Sequence, residues 1–221
     1  MEMPLNKMTK KLFQKNNYIV LKTILDPKII KFCCDYLFLK RQAMITLYET
    51  GNLPPMVNYY GSYEDKQIPG TYSTYGDPAM ETLLQLVKPI MEKSTGIKLN
   101  CKYAYARIYK KGDILHRHTD RPSCEISTTL NLGGDPWSIF LEPSGEKGKK
   151  GVEVKLKPGD MLVYQGCILE HWREPFKGKD CAQVFLHYAN VKTSKNDFDN
   201  RPHLGLPSNL LFKRRDINSD S

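Results

Sequence analysis

The feature that most constrains this chain is a change of periodicity near Lys98. Before it, apolar residues recur at helical spacing; after it, they fall into short runs of strand length. Those runs lie at about residues 101–109, 125–132, 137–142, 152–156, 161–164 and 181–189, separated by Gly, Pro and Asp. This spacing predicts an antiparallel sandwich or barrel. In the first half, Asn17 through Leu25 is β-branched and apolar and reads as a strand. Asp26-Pro27 then opens a helix, Asp as N-cap and Pro at the first position, with an apolar stripe of Ile29, Ile30, Cys33, Tyr36 and Leu37. It should end near Gly51, before Pro54-Pro55. Residues 57–76, with Tyr59, Tyr60, Tyr63, Tyr72 and Tyr75, read as a long connecting segment of the kind that often carries function. Asp77-Pro78 caps a second helix, with Met80, Leu83, Leu84, Val87, Ile90 and Met91 on one face. Helices first and strands afterward predict an α+β, mainly β fold in which the helices buttress a sheet. We expect a single domain over 1–221: helical support over about 1–97, a β-rich core over about 98–190, and a polar tail, 191–221, ending in the charge run Lys213-Arg214-Arg215.

Composition narrows the classes further. The 221 residues are 40% hydrophobic and 26% charged, which excludes wholesale disorder, collagen-like repeats and coiled coil. No apolar run approaches the roughly 18 residues of a membrane span. The opening residues, Met1 to Lys7, lack a basic segment leading into an apolar core, so a cytoplasmic protein is expected. Six cysteines without a C-x-x-C pair fit reduced, structural thiols and give no support to a zinc ribbon. The 33 basic residues against 24 acidic ones, a net charge of +9, invite a nucleic-acid reading. The excess is dispersed over the N-terminus, the 147–157 turn and the tail, where solvated charge is the expectation, and nucleic acid is not expected as a partner.

The chemistry is concentrated in His116-Arg117-His118-Thr119-Asp120. On an extended chain, residues two apart point to the same side with Cα atoms ~7 Å apart, so His118 and Asp120 can converge on one ion. A third ligand must come from a distant strand. His171 follows the Lys157-Pro158-Gly159-Asp160 turn and an apolar strand, and is the candidate. Two imidazoles and one carboxylate leave three positions open on an octahedral metal, the arrangement of non-haem Fe(II) oxygenases; nitrogen and oxygen donors without thiolate suit Fe(II).

From Tyr105-Ala106-Arg107-Ile108-Tyr109 through His118-Thr119-Asp120, past Leu130-Asn131-Leu132 to Lys157-Pro158-Gly159-Asp160 and Glu170-His171-Trp172, the sequence resembles the 2-oxoglutarate- and Fe(II)-dependent oxygenases, particularly the prolyl 4-hydroxylase-like branch. The resemblance covers roughly residues 100–190. It implies a double-stranded β-helix, or jelly roll, with the metal between its sheets. It also implies a basic residue after the distal histidine to pair with the far carboxylate of 2-oxoglutarate. Lys179 fits that role, with Lys177 and Arg173 as competitors. Tyr109 matches a family tyrosine that hydrogen-bonds the cosubstrate. Thr129 and Asn131 stand where the family often has another tyrosine, and either could replace its hydrogen bond.

The resemblance implies hydroxylation of an unactivated C–H bond with Fe(II) and 2-oxoglutarate, and with ascorbate as a reductant for oxidised iron. The implied substrate is a protein side chain of prolyl type, or a free amino acid or other small molecule, with the 57–76 segment as a lid. Oxidative demethylation of nucleic acid and a non-catalytic jelly-roll binding protein are the alternatives. His116 reads as a neighbour of the site or a surface group, His187 and Gln183 as interior polar residues of the last strand, and His203 as inert.

Overall fold

A computed structural model describes residues 3–52, 59–195 and 197–207; Pro54-Pro55, residues 57–58 of the Tyr-rich segment and the Lys213-Arg214-Arg215 run lie outside the described residues. In chain order the elements are α1 (Met3–Asn16), β1 (Tyr18–Leu21), α2 (Pro27–Glu49), β2 (Tyr72–Tyr75), α3 (Pro78–Thr95), β3 (Leu99–Lys110), β4 (Leu115–His118), β5 (Ile126–Gly134), β6 (Ile139–Leu141), β7 (Val152–Val154), β8 (Met161–Gln165), β9 (His171–Arg173) and β10 (Asp180–Asn190).

Both predicted helix starts form as the residue types dictate. Asp26 accepts from the Lys28 amide at 2.8 Å, and Asp77 accepts from the amides of Ala79 (2.9 Å) and Met80 (3.1 Å), with Pro just inside each helix. Gly96, at φ 76°, ends α3 in the left-handed region. Ile30, Cys33 and Leu37 of α2 are buried, but Ile29 is exposed, so the stripe is narrower than expected. Two elements differ from the sequence reading. Residues 3–16 form a helix that the sequence reading passes over, although Leu5, Met8 and Leu12 recur at helical spacing, and the segment read as a connection contains β2, paired antiparallel with β3.

The strands form two antiparallel sheets, one in the order β1-β8-β5-β10-β3-β2 and the other β4-β9-β6-β7. The larger sheet has two apolar destinations. Ala104, Ala106, Ile108, Leu130, Val184 and Leu186 face the helices and share one core with Leu37, Leu84 and Val87. Their alternate neighbours turn inward. Tyr109, Leu115, Phe176, Cys181 and Phe185 form a second cluster, and Ile139, Leu141, Leu162 and Tyr164 a third. In β3 a bulge opposite His187/Tyr188 leaves Lys102 without a pairing partner, so Cys101 and Leu99 return to the helix-facing core. The result is a double-stranded β-helix whose outer face carries the helices.

A buried ion pair ties the C-terminal described residues to this frame. Arg201 and Glu81 are almost fully buried, and the guanidinium donates to both carboxylate oxygens, at 2.6 and 3.1 Å, and to the Lys102 carbonyl at 3.0 Å. Replacing Glu81 by Ala leaves that guanidinium buried without its counter-ion. The expected cost is about 3–5 kcal/mol of folding stability, read as a lower denaturant midpoint in urea unfolding.

Candidate active site

His118 ends β4 and His171 begins β9, and the two are register partners in the smaller sheet. Side chains at paired positions stand side by side, so the imidazole centroids are 4.2 Å apart. Asp120 lies just beyond β4, where its amide donates to the Gly166 carbonyl at 2.8 Å. One carboxylate oxygen, Oδ1, is 3.8 Å from His118 Nε2 and 3.5 Å from His171 Nε2. The three ligand atoms all lie within 4.8 Å of one another.

Backbone carbonyls orient both rings. His118 Nδ1–H donates to His116 O at 2.7 Å and His171 Nδ1–H to Leu169 O at 3.0 Å, which leaves each Nε2 with a lone pair facing Asp120. Gln67 Nε2 donates to His118 Nε2 at 3.0 Å, and the Tyr164 hydroxyl lies 3.3 Å from His171 Nε2. Burial, reinforced by His171, lowers the pKa of His118 and favours the neutral ring. Burial opposes ionisation of Asp120, but His171, His187 and a hydrogen bond from Ser127 outweigh it and hold the carboxyl well below the usual carboxylate range. Two imidazoles that present Nε2 and an ionised carboxylate are the donor set that a hard or borderline divalent metal such as Fe(II) takes.

Two supports of Asp120 left no signal in the sequence. Ser127, on the inner face of β5, donates to Asp120 Oδ2 at 2.8 Å, and its oxygen is 3.0 Å from His187 Nδ1. Gly166 is required by close approach, since a Cβ there would lie 2.3 Å from Asp120 Oδ2 and 2.5 Å from the Cys124 carbonyl. A second group, Asp120, Cys124 and His187, is also compact. Its thiol is engaged with the Tyr103 hydroxyl at 3.0 Å, and burial pushes its pKa up to about 12, which disfavours the thiolate that a metal would need.

A cavity of about 390 Å³ opens over His118, Asp120 and His171, walled by Tyr103, Tyr105 and Arg107 of β3 and by Asp65 and Gln67. Arg107 donates from Nε and Nη2 to Asp65 and from Nη2 to Gln67 Oε1, which neutralises this buried guanidinium and holds the Asp65–Gln67 segment against the cavity.

The other expected cosubstrate contacts divide. Tyr109 is fully buried on the inner face of β3, with Arg107 Nη1 3.4 Å from its hydroxyl. Thr129 and Asn131 are buried on β5; Thr129 Oγ1 is 3.5 Å from Gln183 Oε1, and Asn131 donates to Leu156 O at 2.7 Å. Lys179 requires a correction. It precedes β10 at the outer end of the sheet, its amide is held by Asp135 Oδ2 at 2.6 Å, and its side chain is exposed, as is that of Lys177. A solvated ammonium there cannot be the buried partner of an interior carboxylate. Arg173 is 1% exposed and reaches the interior instead. Of the three buried side-chain polar atoms without a partner among the described residues, two are its Nε and Nη2. These orphaned donors fit an anionic cosubstrate at the inner end of the site. His187 is buried and lines the cavity, whereas His116 and His203 are exposed and bring no side chain to the ligands.

Removing the Ser127 hydroxyl should weaken divalent-metal binding by about ten- to hundredfold, because Asp120 loses the donor that fixes its orientation. Calorimetric titration of Ser127→Ala with Mn(II) measures this, and unchanged affinity would show that Ser127 has no such part.

No family model matches the chain. A curated relative, the uridine-5'-phosphate dioxygenase of Amycolatopsis sp, is 28% identical over 109 residues, 46% of this chain and 38% of its own length, so the chain spans well under half of that protein. A Pseudomonas putida prolyl-4-hydroxylase superposes with a TM-score of 0.55 at 14% identity, over 84% of this chain and 99% of that one. A 2OG-Fe(II) oxygenase family oxidoreductase from Burkholderia pseudomallei gives 0.59 at 14% identity, over 85% and 91%. The chain therefore has the double-stranded β-helix fold of the 2-oxoglutarate- and Fe(II)-dependent oxygenases and resembles that family, prolyl hydroxylases included.

Proposed function

We propose that the chain is a 2-oxoglutarate- and Fe(II)-dependent oxygenase that hydroxylates an unactivated C–H bond of a small molecule. The observation that carries this reading is the convergence of His118, Asp120 and His171, their ligand atoms within 4.8 Å, at the floor of a cavity between two jelly-roll sheets. Fe(II) held by these residues, together with 2-oxoglutarate and O₂, would supply the oxidation that gives hydroxylated product, succinate and CO₂. The protein's own part is positional. His116 O and Leu169 O keep both Nε2 atoms turned toward Asp120, while Ser127 and Gly166 fix the carboxylate. Leu115, Ile139 and Phe185 give the cavity apolar walls that limit water. Tyr109, Thr129 and Asn131 line the inner face on which the cosubstrate would rest.

A small molecule is favoured over a peptide because the segment bearing Asp65 and Gln67 folds onto the cavity and is pinned there by Arg107. Among the resemblances, the curated relative is by name a dioxygenase of a nucleotide. An extended peptide would have to displace that pinned segment.

The reading is tested with Fe(II), ascorbate and labelled 2-oxoglutarate in air. The wild type should form succinate slowly without substrate, and Asp120→Ala should lose more than a hundredfold of that rate while its far-UV circular dichroism is unchanged. Succinate formation by Asp120→Ala at the wild-type rate would refute the ligand assignment. Substrate class follows from mass spectrometry after incubation with free amino acids, nucleoside monophosphates and Pro-containing peptides. Oxygen added only to a peptide would refute the small-molecule reading.

A further inference from the structure

Arg173 is an interior cation without a counter-ion. Among the described residues the other cations around the site are accounted for: Arg107 by Asp65, Arg117 by Glu170, Lys110 by Asp113 and Arg121 by Asp199, whereas Lys177 and Lys179 are exposed. Arg173 has only Nη1 satisfied, by the Trp137 carbonyl at 2.7 Å. Its guanidinium lies 4.9 Å from the Trp137 ring centroid and 6.0 Å from that of Tyr109. Its other neighbours are Leu115, its register partner on β4, and Tyr164 and Cys181, none of them a carboxylate. Burying a charge among such groups is costly unless an anion joins it, so the arrangement is built around something that binds.

Position and shape say what that anion is. Arg173 lies two residues past His171 on β9, on the same face and ~7 Å away along the strand. Leu115 and Tyr164 beside it line the cavity that holds the metal ligands. The free donors, Nε–H and Nη2–H, share one edge of the guanidinium, the edge that takes a carboxylate by two parallel hydrogen bonds.

We propose that Arg173, on the strand of the distal histidine, anchors the 2-oxoglutarate carboxylate remote from the oxo group. This rests on the oxygenase reading above. It moves the anchor away from Lys179, which the family resemblance placed just before the last strand. There the first inward side chain is Cys181, a buried thiol that accepts from Gln183 Nε2 at 3.1 Å and carries no charge for an anion. A fixed fork beside Leu115 and Tyr164 of the cavity wall also sets a length requirement. A 2-oxoacid with a second carboxylate at the right distance is selected over one that ends in a methyl group.

The test is anaerobic calorimetric titration of the Fe(II)-loaded protein with 2-oxoglutarate and with 2-oxobutyrate, which keeps the chelating oxoacid end and lacks the far carboxylate. The wild type should prefer 2-oxoglutarate by about a hundredfold. Arg173→Met should lose that preference with 2-oxobutyrate affinity unchanged, and without cosubstrate it should melt no lower than the wild type, because an unpaired buried charge has been removed. Lys179→Ala should keep the full preference. Arg173→Lys, which retains charge without the fork, decides the matter if the Met variant does not fold; its preference should fall about tenfold. Undiminished preference in the Arg173 variants, or its loss in Lys179→Ala, would overturn the assignment. Wild-type protein that binds neither oxoacid would instead overturn the oxygenase reading.

Discussion

The register of β10 is the constraint on which the remaining structure depends. This strand is hydrogen-bonded along its length to β3 on one side and to β5 on the other. Because strand side chains alternate, that pairing decides for all three strands which residues meet the helices and which enter the barrel. Val184 and Leu186 go outward to the helical core with Ala104, Ala106 and Leu130; Gln183, Phe185 and His187 go inward with Tyr105, Arg107, Ser127 and Thr129. A slip of one residue would put Arg107 and His187 under the helices and apolar groups over His118, Asp120 and His171. The polar interior is affordable only because the outer face alone buries a continuous apolar core.

That interior is charged but mostly balanced, and this changes the meaning of the net charge of +9. Arg107 and Arg201 are buried, each against its own carboxylate, Asp65 and Glu81, so they add nothing to an external field. The surface excess is carried by groups such as Lys177 and Lys179, which are solvated. Arg173 is the exception, and its isolation is informative because the same interior pairs its other guanidinium groups so fully.

How much of this was legible in the sequence follows from how local each signal is. The H-x-D pair and the turn before β8 are encoded within a few residues, so the grouping of His118 and Asp120 could be read from alternation alone. His171 required a guess at strand pairing, and the structure makes it the register partner of His118. The caps at Asp26 and Asp77 are local and form as read. Lys179 was misplaced because its exposure depends on where β10 begins relative to the Phe176–Asp180 turn, a matter of loop length that alternation cannot fix. Gly166 and Ser127 gave no sign, since their roles arise from close approach to a residue distant in sequence. β2 is hard to read because Tyr72-Ser73-Thr74-Tyr75 lacks alternation in hydrophobicity: Tyr72, Ser73 and Thr74 are all buried, with β3 paired along one edge and Ser62 bridged to Ser73 on the other.

The same pairing logic links the site to the stability of its own framework. The smaller sheet is built from strands of three and four residues, and β4 meets β9 through only two register pairs, Leu115 with Arg173 and His118 with His171. Strands this short contribute little cohesion by themselves. One pair nevertheless carries two of the proposed metal ligands, His118 and His171, and the other carries Arg173. A metal shared by His118 and His171 would cross-link β4 to β9 at one pair, and an anion on Arg173 would remove an uncompensated charge at the other. Ligands that bind only the folded arrangement stabilise it by mass action. The sheet with the shortest strands would thus be the one whose order is coupled to occupancy, while the longer paired strands β5, β10 and β3 hold Ser127, Tyr109 and the walls of the cavity in place.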